Sequence, residues 1–350
     1  ESFGDAETAF QYREVPVPTV GDGEVIVQVF AAGVNPVETY IRAGKYASLP
    51  ALPWVPGNDG AGVIRKLGAG VAAAFPHLSV GTRVWISKAK SGTYAQFALA
   101  NAADVAPLPK RLSFEQGAAL SIAYRTAYKA LVIRGELVPG QSILVHGASG
   151  GVGMAAVQLA RYYGASYIGA TASSARAAKL LRGMGATQVF NHSDARYIDA
   201  VGEAVPRGGF DLIIEMLANV NLGTDLNFLA PRGTVAVVGS RGEVTINPRQ
   251  LMRQSSQIKG VLGGTAEEER QAFHAVKAVV ESGAVKPYVG LAMPLSRAAA
   301  AHDEVIDHKG TGGARGKVVL LPFPYSEEHM KRSTQEPLTM KPDPNFQNPY

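Results

Sequence analysis

Ser142-Ile143-Leu144-Val145-His146-Gly147-Ala148-Ser149-Gly150-Gly151-Val152-Gly153 decides the fold of this chain. The apolar run at its start predicts a buried strand. Four glycines then fall within seven residues, a density that marks a tight turn. Residues 152–163 follow as a helix. The same succession recurs downstream, with strands at 166–171, 188–190, 212–215 and 233–239 and helices at 175–183 and 267–282. Alternating strands and helices predict an α/β fold with a doubly wound parallel sheet.

Upstream the texture differs. Residues 24–29 alternate and are β-branched, so they predict a strand. Glycine and proline recur between positions 33 and 62, which predicts short strands and turns. Further strands are expected at 81–87 and 92–99, completing a small barrel. Ser113 with Gln116 fits a capping box opening a helical run over 117–131. Residues 317–321 form a last strand, expected to return to the first domain. The predicted organisation is a barrel domain of residues 1–124 and 290–325, a doubly wound domain of 125–289, and an extended or disordered C-terminal tail of 326–350.

Composition bounds the function. At 350 residues the chain is too long for one compact core. It contains no Cys, which excludes disulfides, thiolate metal ligands and cysteine nucleophiles. Its net charge of +5 favours anionic ligands mildly and does not mark a dedicated nucleic-acid binder. No apolar run is long enough for a membrane span. With no targeting pattern visible, a cytoplasmic location is expected.

A glycine turn between strand and helix lets backbone N–H groups approach a pyrophosphate. Ser149, Gly150, Gly151 and Val152 are therefore candidate dinucleotide contacts. Between Gly147 and Asn191 there is no acidic residue. A carboxylate at the end of the second strand would hold the ribose hydroxyls of NAD. Here Ser173, Ser174, Arg176 and Lys179 follow instead, and hydroxyls and cations suit a 2′-phosphate. This predicts NADPH, with the choice among the four residues open. Arg176 and Lys179 also fit an ordinary solvated helix face.

The stretches 32–42, 145–153, 189–192, 214–222 and 237–242 resemble the ζ-crystallin, or NADPH:quinone oxidoreductase, family of the medium-chain dehydrogenase/reductase superfamily. The likeness runs from about Val25 to Leu321. It implies a GroES-like barrel beside a Rossmann domain, with NADPH in the cleft between them. It places Asn35, Tyr40 and Thr126 at the catalytic, nicotinamide end. It adds His192, Asn221, Val238, Gly239, Ser240, Arg241, Val261, Leu262 and Gly263 as cofactor contacts, and Lys317 as a phosphate contact. Trp54 either caps the substrate slot or covers the barrel. Zinc-dependent relatives carry Cys where this chain has Asn35, and His-Glu where it has Asn58-Asp59, so no zinc is expected. The activity implied is reduction of a quinone, by hydride transfer or by one-electron transfer to a semiquinone. A 2-enoyl thioester or alkenal reductase is an alternative, as is an AU-rich RNA-binding or structural crystallin-like protein. A homo-oligomer, dimer or tetramer, is expected by analogy. His146 reads as structural and Asp59 as a hydrogen-bonded acid.

Overall fold

The computed structural model describes residues 2–206, 208–307 and 316–323. Strands β1 (Glu24–Val34), β2 (Gly60–Leu67), β3 (Arg83–Ile86), β4 (Phe97–Asn101) and β5 (Val105–Pro107) build the first sheet. Strands β6 (Ser142–Val145), β7 (Tyr167–Ala172), β8 (Gln188–Asn191), β9 (Phe210–Glu215), β10 (Leu229–Val237) and β11 (Gln257–Gly260) build the second. The chain then returns through β12 (Val289–Pro294) and β13 (Lys317–Leu321) to the first sheet. There β13 pairs antiparallel with β1, as the expectation for the last strand required.

The second sheet is parallel throughout, in the order β11-β10-β9-β6-β7-β8. Strand order reverses between β6 and β9. Such a switch point opens a crevice at the carboxyl ends of the strands, where ligands bind in this architecture. The expected elements thus appear within a few residues of their places, and the α/β class holds.

Two expectations need correction. The strand expected over 92–99 begins only at Phe97. The Thr93 and Tyr94 N–H groups donate to Gly57 and Pro56 carbonyls, tying 92–96 to a loop. The helical run expected over 117–131 is three pieces: α4 (Phe114–Ala118), α5 (Ser121–Tyr128) and a π-helical turn, Lys129–Arg134. The Ser113–Gln116 capping box forms as expected. The tail beyond residue 323 lies outside the described residues.

Helix α6 (Gly151–Tyr162) packs against β6 and β7 and against α5. Its Met154, Ala155, Ala156, Val157, Leu159 and Ala160 are all buried, and the alanines allow close packing. The largest apolar cluster joins both sheets. Trp85 of β3 lies 5.2 Å from Phe273 of α11 (Ala266–Ser282), which packs the barrel onto a helix that follows the parallel sheet. A shared core of this kind holds the two halves of a cleft together.

Candidate active site

The glycine turn occupies the carboxyl end of β6. Gly147 has φ +54°, a left-handed conformation that favours glycine. A Cβ on Gly153 would come within 2.5 Å of Ala148 Cα, so the helix can seat this close only with glycine there. A Cβ on Gly151 would sit in ordinary contact with Lys317 Cδ at 3.7 Å and with Ala123 Cβ and the Gly316 carbonyl at 3.8 Å. Gly150 caps α6 with no side-chain hydrogen bond. The N–H groups of the first helical turn, and the positive end of a 12-residue helix, are thereby left to an anion. The site fits a dinucleotide pyrophosphate.

Helix α7 (Ala175–Met184) begins just past β7. Ser174 caps it, accepting from the Ala177 N–H at 3.3 Å, which leaves its own O–H free to donate. Arg176 and Lys179 are exposed on the first turns of this helix, and Ser173 is half-buried. His192 is exposed just after β8.

Behind the glycine turn lies a buried polar cluster. His146 Nε2 is 2.9 Å from Asp225 Oδ1 and 3.8 Å from Glu215 Oε2. Burial opposes charging of His146, but the two carboxylates outweigh it and hold its pKa above the usual value. Burial pushes Glu215 up to about 7, against the pull of His146, and Asp225 adds to the rise. Glu215 Oε1 also accepts from the Leu217 N–H and from Asn221 Nδ2, fixing the turn after β9. Asn221 is thus a structural link, further bonded by Tyr197. Val238 and Gly239 donate to the Glu215 carbonyl, and the Arg241 N–H donates to Asn219. Val261 is buried, whereas Leu262 and Gly263 are exposed. Lys129 holds the Gly263 carbonyl at 3.2 Å and Glu269 at 2.7 Å.

The first sheet meets the glycine turn where β13 begins, the Gly316 N–H donating to the Ser149 carbonyl at 2.7 Å. Asn35 caps α2 (Pro36–Arg42), with Glu38 completing a capping box. Glu38 is fully buried and accepts from the Asn35 and Asn58 N–H groups, from Asn35 Nδ2 and from the Tyr94 hydroxyl. Burial, then the Asp59 charge, push its carboxyl up to about 7, against the pull of Lys317. Tyr94 also meets His302 Nε2 at 3.1 Å. Burial, then Arg42, push His302 down to about 3, so that ring is neutral. Asp59 Oδ2 lies 2.6 Å from Lys317 Nζ, and Asp59 Oδ1 accepts from the Ile122 N–H.

Tyr40 on α2, Trp54 in the loop before β2 and Thr126 on α5 are each half-buried. Asn35 is 3% exposed and bonded to Glu38, Asp59 and Lys317, so it is built into the barrel corner. Lys317, expected from the resemblance as a phosphate contact, has its ammonium buried on Asn35 and Asp59. Sequence reasoning missed Glu38, Tyr94, His302, Glu215, Asp225, Lys129 and Glu269. The S/T/N-x-x-E spacing of Asn35 and Glu38 was the one legible signal among them.

Two family descriptions match. Residues 21–110 match the alcohol dehydrogenase GroES-like domain, and residues 151–278 match zinc-binding dehydrogenase. The solved structure of an NAD-dependent alcohol dehydrogenase aligns with a TM-score of 0.82 at 26% identity, covering 92% of this chain and 98% of that one. A mycobacterial protein solved in complex with NADPH aligns with a TM-score of 0.78 at 30% identity, covering 92% and 98%. Fold and family matches thus define a medium-chain dehydrogenase/reductase, an oxidoreductase. The quinone oxidoreductases of Pongo abelii and Homo sapiens are each 47% identical over 321 residues, 91% of this chain and 95% of the relative. The chain belongs to the quinone oxidoreductase family.

The second of those descriptions implies zinc, and the barrel corner does not fit it. The ammonium of Lys317 lies against both Asn35 and Asp59, and a fixed cation there repels a dication. The chain also contains no Cys to supply a thiolate.

Proposed function

We propose that the protein is an NADPH-dependent, zinc-independent quinone oxidoreductase. The family relatives support the acceptor. The absence of any acid between Gly147 and Asn191 is the observation that carries the cofactor choice. A carboxylate at the end of β7 would repel a 2′-phosphate, and here Ser173, Arg176 and Lys179 stand in its place.

NADPH supplies the hydride when bound. The N–H groups of Gly151, Val152 and Gly153 would hold its pyrophosphate, with Ser149 and Gly150 shaping the approach. Arg176, Lys179 and Ser173 would hold the 2′-phosphate, and His192 would face the adenosine. Residues 238–241 and 261–263, with Asn221 beneath them, line the crevice at the strand ends. Tyr40 and Thr126 border the nicotinamide end, with Asn35 seating the helix that carries Tyr40. Trp54 walls the slot for a flat acceptor. The protein contributes orientation and exclusion of water, while the cofactor carries the reactivity.

In this reading the barrel of residues 1–124 and 290–325 serves the acceptor, and residues 125–289 serve the cofactor. No helix of the described residues is long and apolar enough to cross a membrane. We take the protein to work in the cytoplasm as a homo-oligomer. The β11 edge, which ends the parallel sheet, would be its pairing surface.

The test is NADPH oxidation with 1,2-naphthoquinone, run beside NADH and beside crotonyl-CoA. Quinone-dependent, NADPH-selective turnover is expected. Turnover of crotonyl-CoA alone would move the assignment to an enoyl reductase. Equal use of NADH would remove the 2′-phosphate assignment.

A further inference from the structure

The reaction just proposed has no evident use for a buried lysine, yet Lys317 is 4% exposed at the junction of the two sheets. A buried cation is costly unless it is both paired and hydrogen-bonded. Lys317 meets both conditions, on Asp59 Oδ2 at 2.6 Å and on Asn35 Oδ1. Room for it is built into β1: a Cβ on Gly33 would fall 2.8 Å from Lys317 Cε and 2.8 Å from Asp59 Cβ.

The ammonium orients the Asn35 amide. Asn35 Nδ2 donates to Glu38 Oε1 at 3.3 Å and to Asp59 Oδ2 at 3.1 Å, so its Oδ1 is left to face Lys317. Asn35 is the residue that starts α2, and Tyr40 lies just over one turn along that helix. The other end of the same residue reaches the glycine turn. Gly316, its chain neighbour, donates its N–H to the Ser149 carbonyl at 2.7 Å. A Cβ on Gly151 would lie 3.7 Å from Lys317 Cδ. Lys317 therefore lies between the glycine turn and the start of α2.

We propose that Lys317 is a positioning residue of the reductase. Acting through Asn35 and Asp59, it holds the start of α2 in register with the glycine turn, and so Tyr40 in register with the nicotinamide. No bond is made or broken at Lys317. The inference rests on the placement of the cofactor given under the proposed function. Its physical basis is that small misplacements of reacting groups are expensive in rate.

Three variants test it. Lys317→Met keeps the stem and removes the charge. Lys317→Met with Asp59→Asn removes both charges and so avoids an unpaired buried carboxylate. Lys317→Ala leaves space for ethylammonium. Each is assayed for NADPH affinity by tryptophan quenching, for the emission spectrum of bound NADPH, and for kcat with 1,2-naphthoquinone. In Lys317→Met the affinity should stay within about threefold while kcat falls about tenfold or more, with a shifted nicotinamide emission. The double variant should regain melting temperature but not kcat. Ethylammonium chloride should raise the kcat of Lys317→Ala about fivefold or more, and potassium chloride at equal ionic strength should not. Wild-type kcat in Lys317→Met, a loss of rate matched by loss of NADPH affinity, or absence of amine rescue would each overturn the proposal. If the wild-type protein does not reduce the quinone, the acceptor reading fails by itself. The emission of bound NADPH then decides, and an unchanged spectrum in Lys317→Met overturns the positioning role.

Discussion

The Tyr94 hydroxyl donates to Glu38 Oε2 across 3.1 Å, joining residues 56 positions apart inside the barrel. Glu38 collects further donors from Asn35 and Asn58, and Tyr94 extends the chain to His302. This network seats α2 and the loop that carries Asp59. A buried carboxyl with that many partners ties stability of the barrel corner to pH.

The sign follows from the direction of the shift. Burial, then Asp59, raise Glu38 from 4.5 to about 7 in the folded protein. Its contribution is fully present below the unfolded pKa and is lost as pH rises through about 7. The loss amounts to about 3 kcal/mol at most. Urea unfolding at pH 5 and pH 8 should show stability falling with pH, and Glu38→Gln should flatten that slope by about one proton. Equal slopes in the two proteins would contradict the assignment.

Coenzyme choice should reside on the first turns of α7. Replacing Arg176 and Lys179 together by Ala should cost about 1.5–3 kcal/mol of NADPH binding and leave NADH binding nearly unchanged. Isothermal titration with both nucleotides checks it. Unaltered NADPH affinity would reduce these two residues to a solvated face.

Two glycines should respond oppositely to alanine. At Gly153 the new Cβ would meet the Ala148 backbone at 2.5 Å, so Gly153→Ala should destabilise by about 1–3 kcal/mol and weaken NADPH binding. Gly183 lies inside α7, and a Cβ added there would meet nothing within 4 Å. Gly183→Ala should stabilise by about 0.5–1 kcal/mol, since alanine loses less backbone entropy in a helix. Thermal unfolding and titration of both variants decide the matter.

The segment after β11 is held by a cation. Lys129 binds the Gly263 carbonyl and is itself paired with Glu269, which also takes Arg125. Glu269 is partly exposed, so its loss should cost global stability only about 1 kcal/mol or less. Its effect on the loop should be larger, and Glu269→Gln should raise the KM for NADPH several-fold, on the order of 1 kcal/mol. Steady-state kinetics with varied NADPH are the check, and an unchanged KM would show that Lys129 holds the loop without its partner.

Much of the fold is legible in the sequence because its signals are local. The strand at 142–145, the glycine turn and α6 lie within one continuous segment, and each is fixed by spacing that a single sequence displays. The return of β13 is legible from its apolar run, although its partner strand is not. The helical run at 117–131 departs from expectation because periodicity does not reveal a π-helical turn. The strand at 92–99 departs from it because Thr93 and Tyr94 serve tertiary bonds that override their β propensity.

The sequence by itself determined the parallel sheet, the glycine turn between strand and helix, the lack of thiolate chemistry and the acid-free stretch on which the proposal of NADPH rests. All of these depend on residue types over short distances. Only the tertiary structure decided where the charges go. Lys317 and Asp59 are 258 positions apart, and Tyr94 and His302 are 208 apart. Nothing in a local pattern distinguishes a lysine opening a strand from one at a solvated surface. It is the pairing of β13 with β1, and the glycine at position 33, that carry its ammonium into a site where burial leaves no alternative to an opposite charge.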